Sequence, residues 1–185
     1  ISVDSASMMN KVLELFDSYW LFDLQPHQTE VLIHPQQALH GMVYFRDGSV
    51  VAQLAGSDMR TPISYALAWP DRLNWAADRL DLAAMDQLTF ELVDTRRFPS
   101  FALARQALCD GGAFPAVLNA ANEVAVAAFL QEKIGFNQMP AIVETVLSQS
   151  ATLPLDNLDA VMAVDADARQ LATEAVTKNR RYLSP

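Results

Sequence analysis

Met42-Val43-Tyr44-Phe45-Arg46-Asp47-Gly48-Ser49-Val50-Val51-Ala52-Gln53-Leu54 is the stretch that puts β-structure into this fold. Two apolar runs, residues 42–45 and 50–54, flank an Asp-Gly pair, and that pair supplies the positive φ a tight hairpin turn needs. On the N-terminal side lies Val31-Leu32-Ile33, a short apolar run closed by His34-Pro35, which reads as a buried strand. On the C-terminal side Leu88-Thr89-Phe90-Glu91-Leu92 alternates as a strand does. Between hairpin and last strand, Arg60-Thr61-Pro62 opens a helix, with the proline tolerable in its first turn, and Trp69-Pro70 ends it.

Further out the period changes from two to three and four. Met8, Met9, Val12, Leu13, Phe16, Tyr19 and Trp20 predict an amphipathic helix over residues 6–20, preceded by a short extended piece at Ser2 to Asp4. After Phe98-Pro99 helical signals dominate: residues 102–109, 116–131, 141–147 and 166–182, with breaks at Gly111-Gly112, Gly135 and Pro154. The fold class is therefore α+β: a small mixed β-sheet with helices over residues 1–97, followed by a C-terminal α-helical bundle over 98–185. No internal repeat or low-complexity run interrupts it.

About half of the 185 residues are apolar, enough for a core, and 13 basic residues face 22 acidic ones for a net charge of −9. A nucleic-acid partner needs clustered Lys and Arg and is not expected, nor is a polybasic membrane contact. No run is long enough to span a bilayer. Cys109 is the only cysteine, which excludes an intrachain disulfide and a cysteine-rich metal site and suits a soluble protein of a reducing compartment. The chain opens at Ile1 rather than Met, as expected of a start inside a longer protein.

The strongest candidate for chemistry is the first long helix. At about 100° per residue, Ser7, Asn10, Lys11, Glu14 and Asp17 share a face. Asn10 and Lys11 lie four and three residues from Glu14, so their side chains can reach one point. Ser5 is read near the helix start, where free N–H groups and the positive dipole end favour an anion. A hydroxyl, an amide, an ammonium and helix N–H groups suit a phosphate, and Glu14 offers oxygen to a hard cation. A solvated face with a capping serine and a Lys–Glu pair accounts for the same spacing and is the commoner arrangement. His27, His34 and His40 match no metal spacing and read as structural or exposed. Asp58-Met59-Arg60 reads as a capped helix start, and Asn119-Ala120-Ala121-Asn122-Glu123 as close helix packing. No Gly-rich nucleotide-binding loop, P-loop or zinc-protease motif is present.

Six islands in order resemble the 1-deoxy-D-xylulose 5-phosphate reductoisomerase family. They are Ser2-Val3-Asp4-Ser5-Ala6-Ser7-Met8-Met9-Asn10-Lys11 with Glu14, then Val31 to Gln36 with His40, then Asp47 to Leu54 with Asp58-Met59-Arg60-Thr61-Pro62. Ala66 to Pro70, Leu88-Thr89-Phe90 and Leu118 to Glu123 follow. Ser7 and Ser57 are small departures, where Thr and Pro are also familiar. The resemblance implies that Ser5, Asn10 and Lys11 contact the substrate phosphate or nearby hydroxyls. Glu14 would bind substrate and serve as one of three carboxylates around a divalent cation (Mg, Mn or Co). His40 would act near the active site and Met59 near the nicotinamide of NADPH. It further implies an oxidoreductase and isomerase of the non-mevalonate pathway, which rearranges and reduces 1-deoxy-D-xylulose 5-phosphate to 2-C-methyl-D-erythritol 4-phosphate. A homodimer is implied too, in the bacterial cytoplasm, or the plastid in a plant or alga. The family's NADPH domain, its other two metal carboxylates and its flap precede the point matching Ile1, so this chain is expected to be inactive alone. The competing expectation is a free-standing binding or dimerisation module, which would have no need of the Ser5, Asn10, Lys11 and Glu14 set.

Overall fold

Alanine is the commonest buried residue of this chain, and it sets how closely the helices pack. The computed structural model describes residues 1–180, which divide into two units, one built from residues 1–31 with 93 onward and the other from 32–92.

The first unit holds α1 (Ser2–Ala6), α2 (Met9–Phe22), α5 (Pro99–Asp110), α6 (Phe114–Leu130), α7 (Gln138–Gln149) and α8 (Leu158–Arg180), with a single 3₁₀ turn at Pro26–Gln28. Helix α6 is its axis: Val117, Leu118, Ala120, Ala121, Ala125 and Ala128 are all buried. They meet Phe101 and Ala104 of α5, Ile142, Val143 and Val146 of α7, Ala168, Ala172 and Val176 of α8, and Met9 and Val12 of α2 in one apolar cluster. Alanine on α6 leaves no bulk to hold neighbouring helices apart, and each fully buried Leu or Ile contributes roughly 1.5–3 kcal/mol by leaving water. Proline starts α5 and sits in the first turn of α6, where no intrahelical N–H is lost. Gly112 is required by geometry: at φ +54°, a Cβ there would stand 2.7 Å from the Leu153 carbonyl oxygen.

The second unit holds β1 (Leu32–Ile33), β2 (Leu39–Tyr44), β3 (Val50–Leu54), α3 (Arg60–Ala68), α4 (Leu82–Met85) and β4 (Glu91–Leu92). The hairpin read from Asp47-Gly48 is present: β2 and β3 pair antiparallel with Tyr44 opposite Val50 and Val43 opposite Val51. Gly48 takes φ +87°, and Asp47 Oδ1 accepts from the Ser49 N–H at 2.9 Å and its hydroxyl at 2.6 Å. Those two bonds hold the Asp47 carboxyl below its ordinary pKa.

The α+β class stands, with three differences in detail. The strands make two separate antiparallel pairs, β1 with β4 and β2 with β3, in place of one mixed sheet. Ser2 to Asp4 is helical, with the Ser5 N–H bonded to the Ile1 carbonyl and Ser7 N–H to that of Val3. Helix α8 starts at Leu158, earlier than the periodicity suggests, because the Asn157 side chain accepts the Ala160 N–H at 2.9 Å. Its predicted end at Tyr182 lies outside the described residues. The sequence division at residue 97 follows chain order, whereas packing groups α1 and α2 with α5 to α8.

Candidate anion site at the α1–α2 corner

Two helices, one short and one long, meet where one was expected. Helix α1 stops at Ala6, and Met8 takes the left-handed conformation at φ +61° before α2 begins at Met9. Ser7 stands at the break: its hydroxyl donates to the Asp4 carbonyl at 3.3 Å and accepts the N–H of Met9, the first residue of α2, at 3.4 Å. Ser7 is buried, so it is not on the exposed polar face where its spacing put it. Ser5 is also displaced from its expected place. It stands exposed on α1, one helix before the long one, and not at that helix's free N-terminus.

Asn10 and Lys11 occupy the first turn of α2, whose N–H groups have no partner within the helix. The predicted convergence on Glu14 is present. Asn10 Nδ2 donates to Glu14 Oε1 at 2.7 Å, and Lys11 Nζ donates to Oε1 at 3.0 Å and Oε2 at 2.7 Å. Both ionic side chains are about half exposed, Lys11 at 51% and Glu14 at 50%, so the pair itself adds little stability. What it provides is a solvent-facing cation, an amide and a carboxylate held together on the positive end of a 14-residue helix. Beneath them Met9, Val12, Leu15 and Phe16 anchor the opposite face in the core.

His40 and Met59 belong to the second unit. His40 falls at the irregularity between Leu39 and Gly41, where the β2–β3 register shifts, and its Nε2 lies 3.1 Å from the Ala55 carbonyl oxygen. Such a bulge re-aims a side chain out of the strand's alternation. Met59 is 70% exposed at the start of α3. It sits between Asp58 and Arg60, whose bidentate pair, Nε to Oδ1 and Nη2 to Oδ2, lowers the pKa of the acid and raises that of the base. His34, by contrast, is structural: Nδ1 bonds the Thr89 carbonyl at 2.9 Å and the ring stacks on Phe90 at 4.8 Å.

Asp4 and Asn122 are a pair the sequence reading did not join. Asn122 on α6 donates to Asp4 Oδ1 at 2.9 Å across 118 residues of sequence, a separation no local spacing can reveal. Their neighbours make a different network: Asn119 and Arg169 both bond Glu123, and Arg169 also grips Asp165.

The family model of the DXP reductoisomerase C-terminal domain matches residues 54–171. The chain belongs to that family. A 1-deoxy-D-xylulose 5-phosphate reductoisomerase of Pseudomonas aeruginosa (strain UCBPP-PA14) is 54% identical over 179 residues, covering 97% of this chain and 45% of the relative. That of Burkholderia multivorans is 53% identical over 178 residues, covering 96% and 45%. Among solved structures, the reductoisomerase from Zymomonas mobilis in complex with NADPH superposes with a TM-score of 0.91 at 46% identity, over 95% of this chain and 47% of that one. A DOX-P reductoisomerase with NADPH, fosmidomycin and magnesium superposes at 0.90 and 40% identity, over 96% and 46%. The resemblance read from six sequence islands is borne out as membership of the reductoisomerase family, and this chain spans about 45% of the length of the curated relatives it matches.

Proposed function

We propose that this chain is the C-terminal portion of a 1-deoxy-D-xylulose 5-phosphate reductoisomerase and that it supplies the phosphate grip and one metal carboxylate to that enzyme's active site. The observation that carries this reading is the Asn10–Lys11–Glu14 cluster at the start of α2. Lys11 and Asn10, with Ser5 nearby in sequence, bind the phosphate of the sugar substrate; binding energy gained there orients the distant carbons that react. Glu14 would offer its carboxylate oxygens to a divalent cation, Mg, Mn or Co, leaving the Lys11 ammonium to the phosphate.

The donors fit a share of such a cation site and not a whole one. Glu14 is a single exposed carboxylate, and among the described residues no group of three His, Cys, Asp or Glu side chains could hold a metal. When bound, the cation polarises substrate oxygens as a Lewis acid. The strands described here pair only antiparallel, whereas a dinucleotide-binding βαβ unit needs a parallel pair. NADPH would therefore be held mainly by a part of the longer polypeptide, with Met59 lying against the nicotinamide and His40 in a supporting role. The exposed apolar hairpin, Val43, Tyr44, Val50 and Val51, is the surface on which a homodimer would form. The relatives are bacterial, which supports a cytoplasmic setting, and no described helix is long and apolar enough to cross a membrane.

The test is a chimera that places this chain after the N-terminal portion of the Pseudomonas aeruginosa relative. With substrate, NADPH and Mg²⁺ the chimera should oxidise NADPH, and the chain alone should not. Lys11→Ala in the chimera should raise the substrate KM with a smaller change in kcat, and Glu14→Gln should lower kcat and demand more metal. Wild-type kinetics for both variants across a metal titration would overturn the assignment, and so would substrate-dependent oxidation by the chain alone.

A further inference from the structure

We propose that Asn122 is a positioning residue for the anion site: from the core-facing side of α6 it fixes the α1–α2 corner on which Ser5, Asn10 and Lys11 stand. The inference rests on the phosphate reading above and adds a residue that reading does not contain.

Asn122 is anomalous where it sits. It is 4% exposed on a helix whose other buried residues are all apolar. A buried amide is retained only where a partner satisfies it. Its partner is not in the bundle network next to it, since Asn119, Glu123 and Arg169 satisfy one another without it. Nδ2 instead donates to Asp4 Oδ1 at 2.9 Å. Asp4 adjoins Ser5, and its carbonyl accepts the Ser7 hydroxyl, which in turn accepts the first N–H of α2. One hydrogen-bonded relay therefore runs from α6 through α1 to the residue preceding Asn10.

The corner needs such a tie. Met8 is held at φ +61°, a left-handed conformation that is uncommon and costly for a residue with a side chain. Met9 and Val12 pin α2 from below, and Val3 is the only residue of α1 packed against the core, so Asn122 supplies α1's polar anchor. Asp4 also brings a carboxylate within one residue of Ser5, where an anion is to bind. The Asn122 amide fixes where that charge stands. Loss of the amide frees α1 and Asp4 together, and the phosphate then meets a looser hydroxyl and a mobile like charge.

The experiment uses the chimera, assayed well below the melting temperature of the least stable variant, with KM, kcat and melting temperature read for each. Asn122→Ala should raise the substrate KM roughly tenfold, the factor that about 1.4 kcal/mol represents, with kcat changed less than threefold. Asn122→Asp sets two carboxylates face to face and should raise KM further. Adding Asp4→Asn to it exchanges donor and acceptor, lets the bond form again, and should return KM to within about threefold of the parent. If Asn122→Ala lowers the melting temperature but leaves KM unchanged, Asn122 is structural only and the proposal is overturned; should Asn122→Asp fail to fold, that variant still decides. Lys11→Ala is the control that separates the failures. An unchanged KM there sinks the phosphate reading itself, whereas a raised KM there with an unmoved Asn122→Ala sinks this inference alone.

Discussion

The unit of residues 1–31 and 93–180 and the unit of 32–92 differ in where their stability comes from. Among the described residues, the first contains nearly all the buried apolar ones; the second contains one, Ala38. In the second unit Val43 is 57% exposed and Val51 60%, on a two-stranded hairpin of a kind that is marginal in water by itself. Both units are rich in Val, Leu and aromatic residues, so composition does not separate them. The difference is that α6 packs its apolar face against α5, α7 and α8, whereas β2 pairs only with β3. The first unit is organised by its own core, and the second exposes the kind of surface that other chains or segments cover.

The widest test of that contrast is a matched pair of truncations. Leu118→Ala opens a cavity in the centre of the bundle and should cost roughly 2–5 kcal/mol. Val51→Ala, on the open hairpin, should cost less than about 0.5 kcal/mol in the chain alone. Thermal or denaturant unfolding reads both. A large effect at Val51 would mean that the hairpin is covered, and the comparison between the units would break.

A smaller effect sharpens the picture of what joins the bundle helices. Arg169 on α8 bonds Glu123 of α6 and Asp165 of its own helix, each at 2.6 Å, and the two carboxylates raise its pKa. Because the guanidinium is 39% exposed, water screens much of the attraction. Arg169→Met should therefore lower stability by only about 1 kcal/mol, or roughly 2–4 °C in melting temperature. A loss as large as that of Leu118→Ala would place the bundle's stability in its charges and not in its core.

The smallest effect concerns the hairpin turn. The bonds from Ser49 depress the Asp47 pKa, so their contribution is complete above the ordinary carboxylate range and is lost as the pH falls through the depressed value. The Ser49 amide resonance, followed by NMR during acidification, should titrate with a midpoint below about 3.9. A midpoint at or above that value would mean the turn does not hold Asp47 as described.

Periodicity within a few residues was enough to read α2, α3, α5 to α7 and the β2–β3 hairpin. Helix spacing and turn chemistry are local, and each of these segments carries its own pattern. The convergence of Asn10 and Lys11 on Glu14 was legible for the same reason: three and four residues make one turn of helix. The break at Ser7 and Met8 was not legible. Met8 continues the apolar spacing, and its left-handed conformation at φ +61° appears only in the folded chain, where Met9 is buried and Asn122 donates to Asp4. The early start of α8 was missed because Asn157 caps it ahead of the apolar pattern.

By itself, then, the amino-acid order determined the α+β class, the helices with their polar faces, the hairpin and, through six islands of resemblance, the family. Tertiary structure alone decided which helices share a core, that α1 and α2 belong with the bundle, that the strands pair as two separate ribbons, and that Asn122 answers Asp4. The physical reason is range. A backbone turn and a helix face are set by neighbours a few residues away, whereas burial and a hydrogen bond across 118 residues exist only once the chain has closed on itself.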